Sequence, residues 1–206
     1  MKKTVLALGL SAALLAGFAN AHQAGDVVVR GGAILVDTHT RTDSDVFKFK
    51  VNNNTQLGLT GTYMFTDNIG VELLAATPFS HEIKLGSNLV GKTKHLPPSL
   101  YAQYYLFDKD AKVRPYVGAG INYTTFFSEK AKLDGVSNLK LKDSFGLIVN
   151  AGMDIKLAEN LYLNAAVWYA KIKSKASFDL SGQHHTVSVK LDPTIYFVGL
   201  DRKSVV

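Results

Sequence analysis

The sequence predicts an all-β fold: an eight-stranded antiparallel transmembrane β-barrel with short periplasmic turns and long extracellular loops. Three observations carry this expectation. Segment after segment alternates apolar and polar residues with period two, which places successive side chains on opposite faces of a pleated strand. The connections between these segments alternate short and long, as in outer-membrane barrels. The chain also opens with a secretory leader.

The leader comes first. Lys2 and Lys3 form a basic start, 5–16 is an apolar run broken only by Gly9 and Ser11, and Ala19-Asn20-Ala21 is an A-x-A cleavage site. A helix needs about 20 apolar residues to span a bilayer, so this run fits a cleaved signal better than an anchor. Cleavage is expected after Ala21. The barrel is then expected over 22–200, and the last residues, 201–206, stand apart as a tail.

Eight strands follow in order. In 26–36, Val27, Val29, Gly31, Ala33 and Leu35 form an uncharged face, with Arg30 on the other. In the second, Leu57, Leu59, Gly61, Tyr63 and Phe65 oppose Gln56, Gly58, Thr60, Thr62 and Met64. After the turn 66–68, Ile69, Val71, Leu73, Ala75 and Phe79 oppose Gly70, Glu72, Leu74 and Ala76. The fourth, 99–107, sets Leu100, Ala102, Tyr104 and Leu106 against Tyr101, Gln103 and Tyr105. The fifth, 113–127, sets Val117, Ala119, Ile121 and Tyr123 against Tyr116, Gly118, Gly120 and Asn122. The sixth, 145–155, sets Phe145, Leu147, Val149, Ala151 and Met153 against Gly146, Ile148, Asn150 and Asp154. The seventh, 161–171, sets Leu163, Ala165, Val167 and Tyr169 against Tyr162, Asn164, Ala166 and Trp168. The eighth, 189–200, is read with Leu191, Ile195 and Phe197 outward and Lys190, Asp192, Thr194, Tyr196 and Val198 inward.

Connections 66–68, 108–112 and 157–160 are short, whereas 37–54, 80–98, 128–144 and 172–188 are long. A soluble sandwich has no reason to sort its loops this way. The polar faces are mostly Gly, Thr, Asn, Gln and Ser. Their mid-strand charges balance in sign: Arg30, Arg114 and Lys190 against Glu72, Asp154 and Asp192. Enclosed charges must pair, because desolvating one alone costs several kcal/mol. These six are therefore expected inside the lumen, and the oily faces are expected to meet lipid. Tyr63, Phe65, Phe79, Tyr123 and Phe127 near strand ends suggest aromatic girdles.

The 23 Lys and Arg, two of them in the leader, against 17 Asp and Glu form no block of like charge, so nucleic acid is not implied. With no cysteine, disulfides and thiolate metal sites are excluded. The histidines His22, His39, His81, His95, His184 and His185 fall outside the eight strands. His184-His185 near Ser188 raises a rim hydrolase as a third reading, but no base–nucleophile spacing supports it. No enzyme activity, metal or cofactor is expected.

The stretches 52–83, 95–108, 114–127, 141–146 and 189–200, including HLPPSLYAQYYLFD and RPYVGAGINYTTFF, closely resemble the OmpW family of small outer-membrane barrels. The resemblance covers nearly the whole chain. It implies a narrow apolar lumen that takes up small hydrophobic molecules across the cell outer membrane, by a lateral route from lumen to bilayer. It also implies that Leu74 and Trp168 narrow the lumen, and the alternation independently turns both inward. Tyr101, Ile148 and Met64 are expected to line the same space. Plain filling of a closed barrel is the competing account of Leu74 and Trp168. Expected partners are outer-membrane lipid, lipopolysaccharide, small hydrophobic ligands and the barrel insertion machinery. The runner-up function is a non-transporting surface-interaction barrel. Lys130, Lys132, Lys140, Lys142, Lys171, Lys173 and Lys175 could meet lipopolysaccharide phosphates or simply be solvated. Family members normally end in an aromatic residue, whereas this chain matches through Gly199-Leu200 and then reads DRKSVV, so 201–206 is expected to be a non-native tail, an artefact of the sequence.

Overall fold

The structure is a computed structural model that describes residues 23–44, 49–51, 53–77, 79–85, 88–131, 136–158, 160–180 and 182–204. The leader, residues 1–21, lies outside the described residues, as do 205–206. The strands are β1 (Val27–Asp37), β2 (Arg41–Thr42), β3 (Phe49–Val51), β4 (Asn54–Met64), β5 (Ile69–Ala76), β6 (Phe79–Leu85), β7 (Asn88–Leu96) and β8 (Ser99–Tyr105). They continue with β9 (Val113–Ala131), β10 (Val136–Leu141), β11 (Ser144–Ala158), β12 (Leu161–Ala170), β13 (Lys173–Leu180), β14 (Gln183–Lys190) and β15 (Thr194–Ser204).

Eight of them close an antiparallel barrel in the order β11-β12-β15-β1-β4-β5-β8-β9, with β9 returning to β11. The first and last strands join through eleven pairs, from Val27↔Ser204 to Asp37↔Thr194. Closure satisfies every ladder and leaves no edge in the bilayer, where an unpaired backbone group costs several kcal/mol. The turns after β4, β8 and β11 are short, as expected.

The long connections are not structureless. They hold hairpins that raise the wall above the barrel: β6 with β7, which pairs on to β9, and β10 with β13, β14 and β2. His81, His95, His184 and His185 therefore sit in strands, contrary to the expectation. Gly182, at φ 81°, turns the β13–β14 hairpin in the left-handed region that glycine tolerates.

Seven of the eight facings are as the alternation predicts. Leu57, Phe65, Leu73, Phe145, Leu147 and Val149 are exposed to the lipid side. The eighth is inverted. Ile195 and Phe197 are buried inside, and Tyr196, Val198 and Leu200 point out. Apolar residues occupy both faces of that strand, so alternation alone could not orient it. The two charges that seemed to mark the lumen do not belong to it. Lys190 ends β14 with an exposed side chain, and Asp192 sits in the turn before β15 at φ 31°. Both are removed from the lumen set.

Two girdle assignments also change. Tyr63, Phe65 and Tyr123 are exposed, but Phe79 opens β6 fully buried and Phe127 is half-buried. The ladder of β5 ends at Ala76, so the parity carried through to Phe79 does not hold. Finally, β15 does not stop at Leu200. It runs to Ser204, and Asp201 is buried.

Candidate functional site

The barrel interior has a polar floor, a belt and an apolar upper chamber. The floor is centred on Arg30, whose side chain is 1% exposed. Its inward position on β1 follows from parity, and register places it directly opposite Asp201 on β15. All five N–H donors are used. Nε donates to Asp201 Oδ2 at 3.2 Å, and Nη1 donates to Thr62 Oγ1 at 2.8 Å and to a Glu72 carboxylate oxygen. Nη2 donates to the Tyr105 hydroxyl at 2.7 Å and to Asp154 Oδ2 at 3.0 Å. A guanidinium in fork geometry can serve five acceptors, which an ammonium cannot.

One side chain thus ties β1 to β4, β5, β8, β11 and β15. The remaining barrel strands join the same network. Asn164 on β12 donates to Asp154 Oδ1 at 2.5 Å and to the Tyr116 hydroxyl on β9 at 2.9 Å. Arg114 on β9 stacks over the Tyr105 ring at 4.7 Å and donates to the Asp67 and Phe107 carbonyls at 2.6 and 3.2 Å. Met64 is fully buried here, packed with Tyr105 and Tyr116. Of the six charges expected in the lumen, Arg30, Glu72, Arg114 and Asp154 meet in this floor. Asp201 takes the place given to Lys190 and Asp192.

The belt lies directly above. Trp168 Nε1 donates to the Tyr101 hydroxyl at 2.8 Å, and that hydroxyl donates to Glu72. Trp168 is 1% exposed and Tyr101 2%, so both expected lining residues are enclosed. Leu74 and Ile148 are buried in the same cluster, together with Ile34 and Phe197. Phe197 meets Trp168 edge to face at 5.8 Å. Its ring occupies a bay formed by Gly58, Gly32 and Gly199, which register sets side by side on three strands. A Cβ added at Gly58 would lie 3.3 Å from the ring and 3.3 Å from Ile34 Cβ. Gly58→Ala is therefore expected to cost about 1–3 kcal/mol by overpacking, read as a lower urea midpoint in micelles. This glycine row was the available sequence signal for Phe197, since facing glycines leave space only an aromatic neighbour fills.

Above the belt the interior turns apolar. A small cavity of about 20 Å³ is bounded by Ile34, Leu74, Phe79, Ile172 and Ile195. A second, of about 30 Å³, lies between Ile83, Phe126, Leu139, Leu141 and Val189. Each has room for roughly one water molecule, so among the described residues this end is packed with side chains and shows no aqueous pore.

The rim offers no hydrolytic arrangement among the described residues. His184 Nδ1 is 2.8 Å from Asp179 Oδ1. Ser188 lies four residues further along β14, about 13 Å away at strand rise, too far to bond that imidazole. Among the described residues no group of three or more His, Cys, Asp or Glu could hold a metal ion. Lys132 lies outside the described residues.

Residues 23–204 match the model of the OmpW family. The chain is 44% identical over 211 residues to outer membrane protein W of Vibrio cholerae, covering 96% of this chain and 97% of that protein. It is 46% identical over 206 residues to outer membrane protein W of Escherichia coli, covering 95% and 96%. Among solved structures it is similar to the outer membrane protein OprG of Pseudomonas aeruginosa, with a TM-score of 0.85 and 40% identity over 90% of this chain and 99% of that one.

Proposed function

We propose, from the premise that this chain belongs to the OmpW family of outer-membrane barrels, that it conducts small apolar molecules into the outer membrane. The observation that carries this reading is the contrast between the two halves of the interior. Ile34, Leu74, Phe79, Ile172 and Ile195 form an apolar chamber that ends on a floor closed by the Arg30 network. An apolar solute that parts these packed side chains gains about 25 cal/mol per Å² buried on leaving water, a few kcal/mol for a small molecule. It cannot continue straight down, because the floor would have to give up a desolvated ion cluster.

The way out is then sideways. The β9–β11 ladder ends at Thr124↔Ser144. Above that point β9 pairs with β7 and β10 pairs with β13, so among the described residues β9 and β10 stay neighbours without a ladder between them. The Asp143 carboxylate bridges the start of the seam, accepting from the Phe126 N–H at 3.2 Å and the Tyr123 hydroxyl at 2.6 Å. Phe126 and Leu139 line the upper cavity beside it. In this reading Leu74 and Trp168 form the bottom of the chamber, and the barrel is a conduit, not an enzyme.

The test is uptake of an apolar tracer by proteoliposomes. The natural chain is expected to raise uptake several-fold over empty liposomes. Ile172→Trp, which fills the chamber, is expected to return uptake toward the empty level, and Leu74→Ala, which deepens it, to increase uptake. Uptake by the natural chain equal to that of empty liposomes would replace this reading with a surface-interaction barrel.

A further inference from the structure

The outer face of the sheet formed by β10, β13, β14 and β2 carries an in-register row of cations. Lys173 on β13 pairs with Lys190 on β14, and Lys190 pairs with Arg41 on β2. Lys175 follows Lys173 on the same face, and the Lys142 N–H donates to the Lys175 carbonyl at 3.1 Å, which sets Lys142 beside it. The alternate residues Ile172, Ser174, Ala176, Val187 and Val189 are buried, so the cations point outward. All five line an open notch of about 710 Å³.

Like charges set directly opposite across an antiparallel pair, with Cβ atoms about 5 Å apart, work against the sheet. Two carboxylates share the notch, and both are engaged by other donors. Asp43 Oδ1 accepts from the Ser188 N–H at 3.0 Å, and Asp143 accepts from Tyr123 and Phe126. The exposed ion pairs found among the described residues join other groups: Asp37 with His39, Glu82 with Lys84, Asp67 with Lys109 and Asp179 with His184. Five cations against two carboxylates leave the notch with an excess of positive charge among the described residues, which is the geometry of a site for an anionic partner.

Its height identifies the source. Phe145, Tyr169 and Tyr196 are exposed on the outer surface just below and form the upper aromatic girdle. Lys171 and Lys173 follow Tyr169 by two and four residues across the short break between β12 and β13, so they stand at most about 7 and 14 Å above it. That is headgroup level, where basic clusters bordering an apolar band attract anionic lipids.

We propose that this row is a docking site for a phosphate-bearing glycolipid of the outer leaflet, lipopolysaccharide. The lipid A phosphates would sit in the notch, with lysines acting as point charges, and the acyl chains would lie on Phe145, Leu147 and Tyr169. Lys190, which the sequence suggested for the lumen, acts on the opposite surface.

The test is native mass spectrometry of the refolded full chain in micelles, titrated separately with bisphosphorylated lipid A, enzymatically dephosphorylated lipid A and inorganic phosphate. The triple variant Arg41→Gln, Lys173→Gln, Lys190→Gln is expected to bind bisphosphorylated lipid A at least about tenfold more weakly. The pair Lys142→Gln, Lys175→Gln is expected to show a smaller loss, and the periplasmic control Lys109→Gln, Lys112→Gln none. Dephosphorylated lipid A is expected to bind the natural chain as weakly as it binds the triple variant. Heat-modified gel mobility verifies that each variant is folded. Undiminished binding by both cation variants, or equal binding of the two lipid A forms, would overturn the proposal. Occupancy by inorganic phosphate that lipid A cannot displace would overturn it in favour of a free-anion site.

Discussion

Arg30→Met is expected to destabilise the barrel strongly under conditions that fold the natural chain. The substitution removes the group that answers Glu72, Asp154 and Asp201 at once. All three carboxylates have side chains at 0% exposure, so none can recover water when the guanidinium is lost. Breaking a buried ion pair from one side costs about 3–5 kcal/mol, because the orphaned charge stays desolvated. With a typical dependence of about 1–3 kcal/mol per molar urea, the unfolding midpoint should fall by roughly 2 M. Trp168, the single tryptophan, is buried one bond away from the network through Tyr101, so its fluorescence reports the loss directly. Arg30→Lys should fall between the two, since three donors cannot serve five acceptors. Adding Glu72→Gln and Asp154→Asn to Arg30→Met should recover part of the loss, which would assign the cost to unpaired charge and not to packing. A midpoint for Arg30→Met equal to that of the natural chain would mean that the floor is held by its ladders alone.

What could be read beforehand follows from what period two encodes. Alternation orients a strand only where its two faces differ in polarity. Leu57, Leu59 and Tyr63 against Thr60, Thr62 and Met64 differ enough, and so do the faces of β11 and β12. β15 does not, with Ile195 and Phe197 on one face and Tyr196, Val198 and Leu200 on the other. Lys190 and Asp192 then decided its orientation wrongly, because neither belongs to the barrel strand: Lys190 ends β14 and Asp192 sits in the turn before β15. Arg30, Glu72, Arg114 and Asp154 could be placed inside, but not at one level. Convergence depends on register across the closed ladder, as in Arg30↔Asp201 and Asp154↔Arg114, and no single strand contains that information. The hairpins of the long connections are less legible because their buried faces mix Ser174 and Ala176 with Phe178, Val187 and Val189, so the contrast between faces is weak. The ordering of Trp168 on Tyr101 on Glu72 lies further still from the sequence, since it needs three strands and a hydroxyl orientation.

Ending the chain at Leu200 is expected to be as damaging as the loss of Arg30, although it removes only the last six residues. Through residue 204 these residues complete β15. Val27↔Ser204, Val28↔Lys203, Val29↔Arg202 and Arg30↔Asp201 form the periplasmic end of the seam between the first and last strands. Leu161↔Arg202 and Tyr162↔Asp201 hold the same end against β12. Truncation would strip partners from two neighbouring strands at once and reopen the edge that closure exists to remove. It would also leave Arg30 Nε without the Asp201 carboxylate. Asp201→Asn separates these effects, because it keeps both ladders and deletes only the charge. It is expected to fold with an intermediate midpoint, whereas the truncated chain should show no heat-modified band on a gel. If the chain ending at Leu200 folded with the natural midpoint, Glu72 and Asp154 alone would suffice for Arg30. If Asp201→Asn were as damaging as truncation, the charge and not the ladder would be what the final strand contributes to closure.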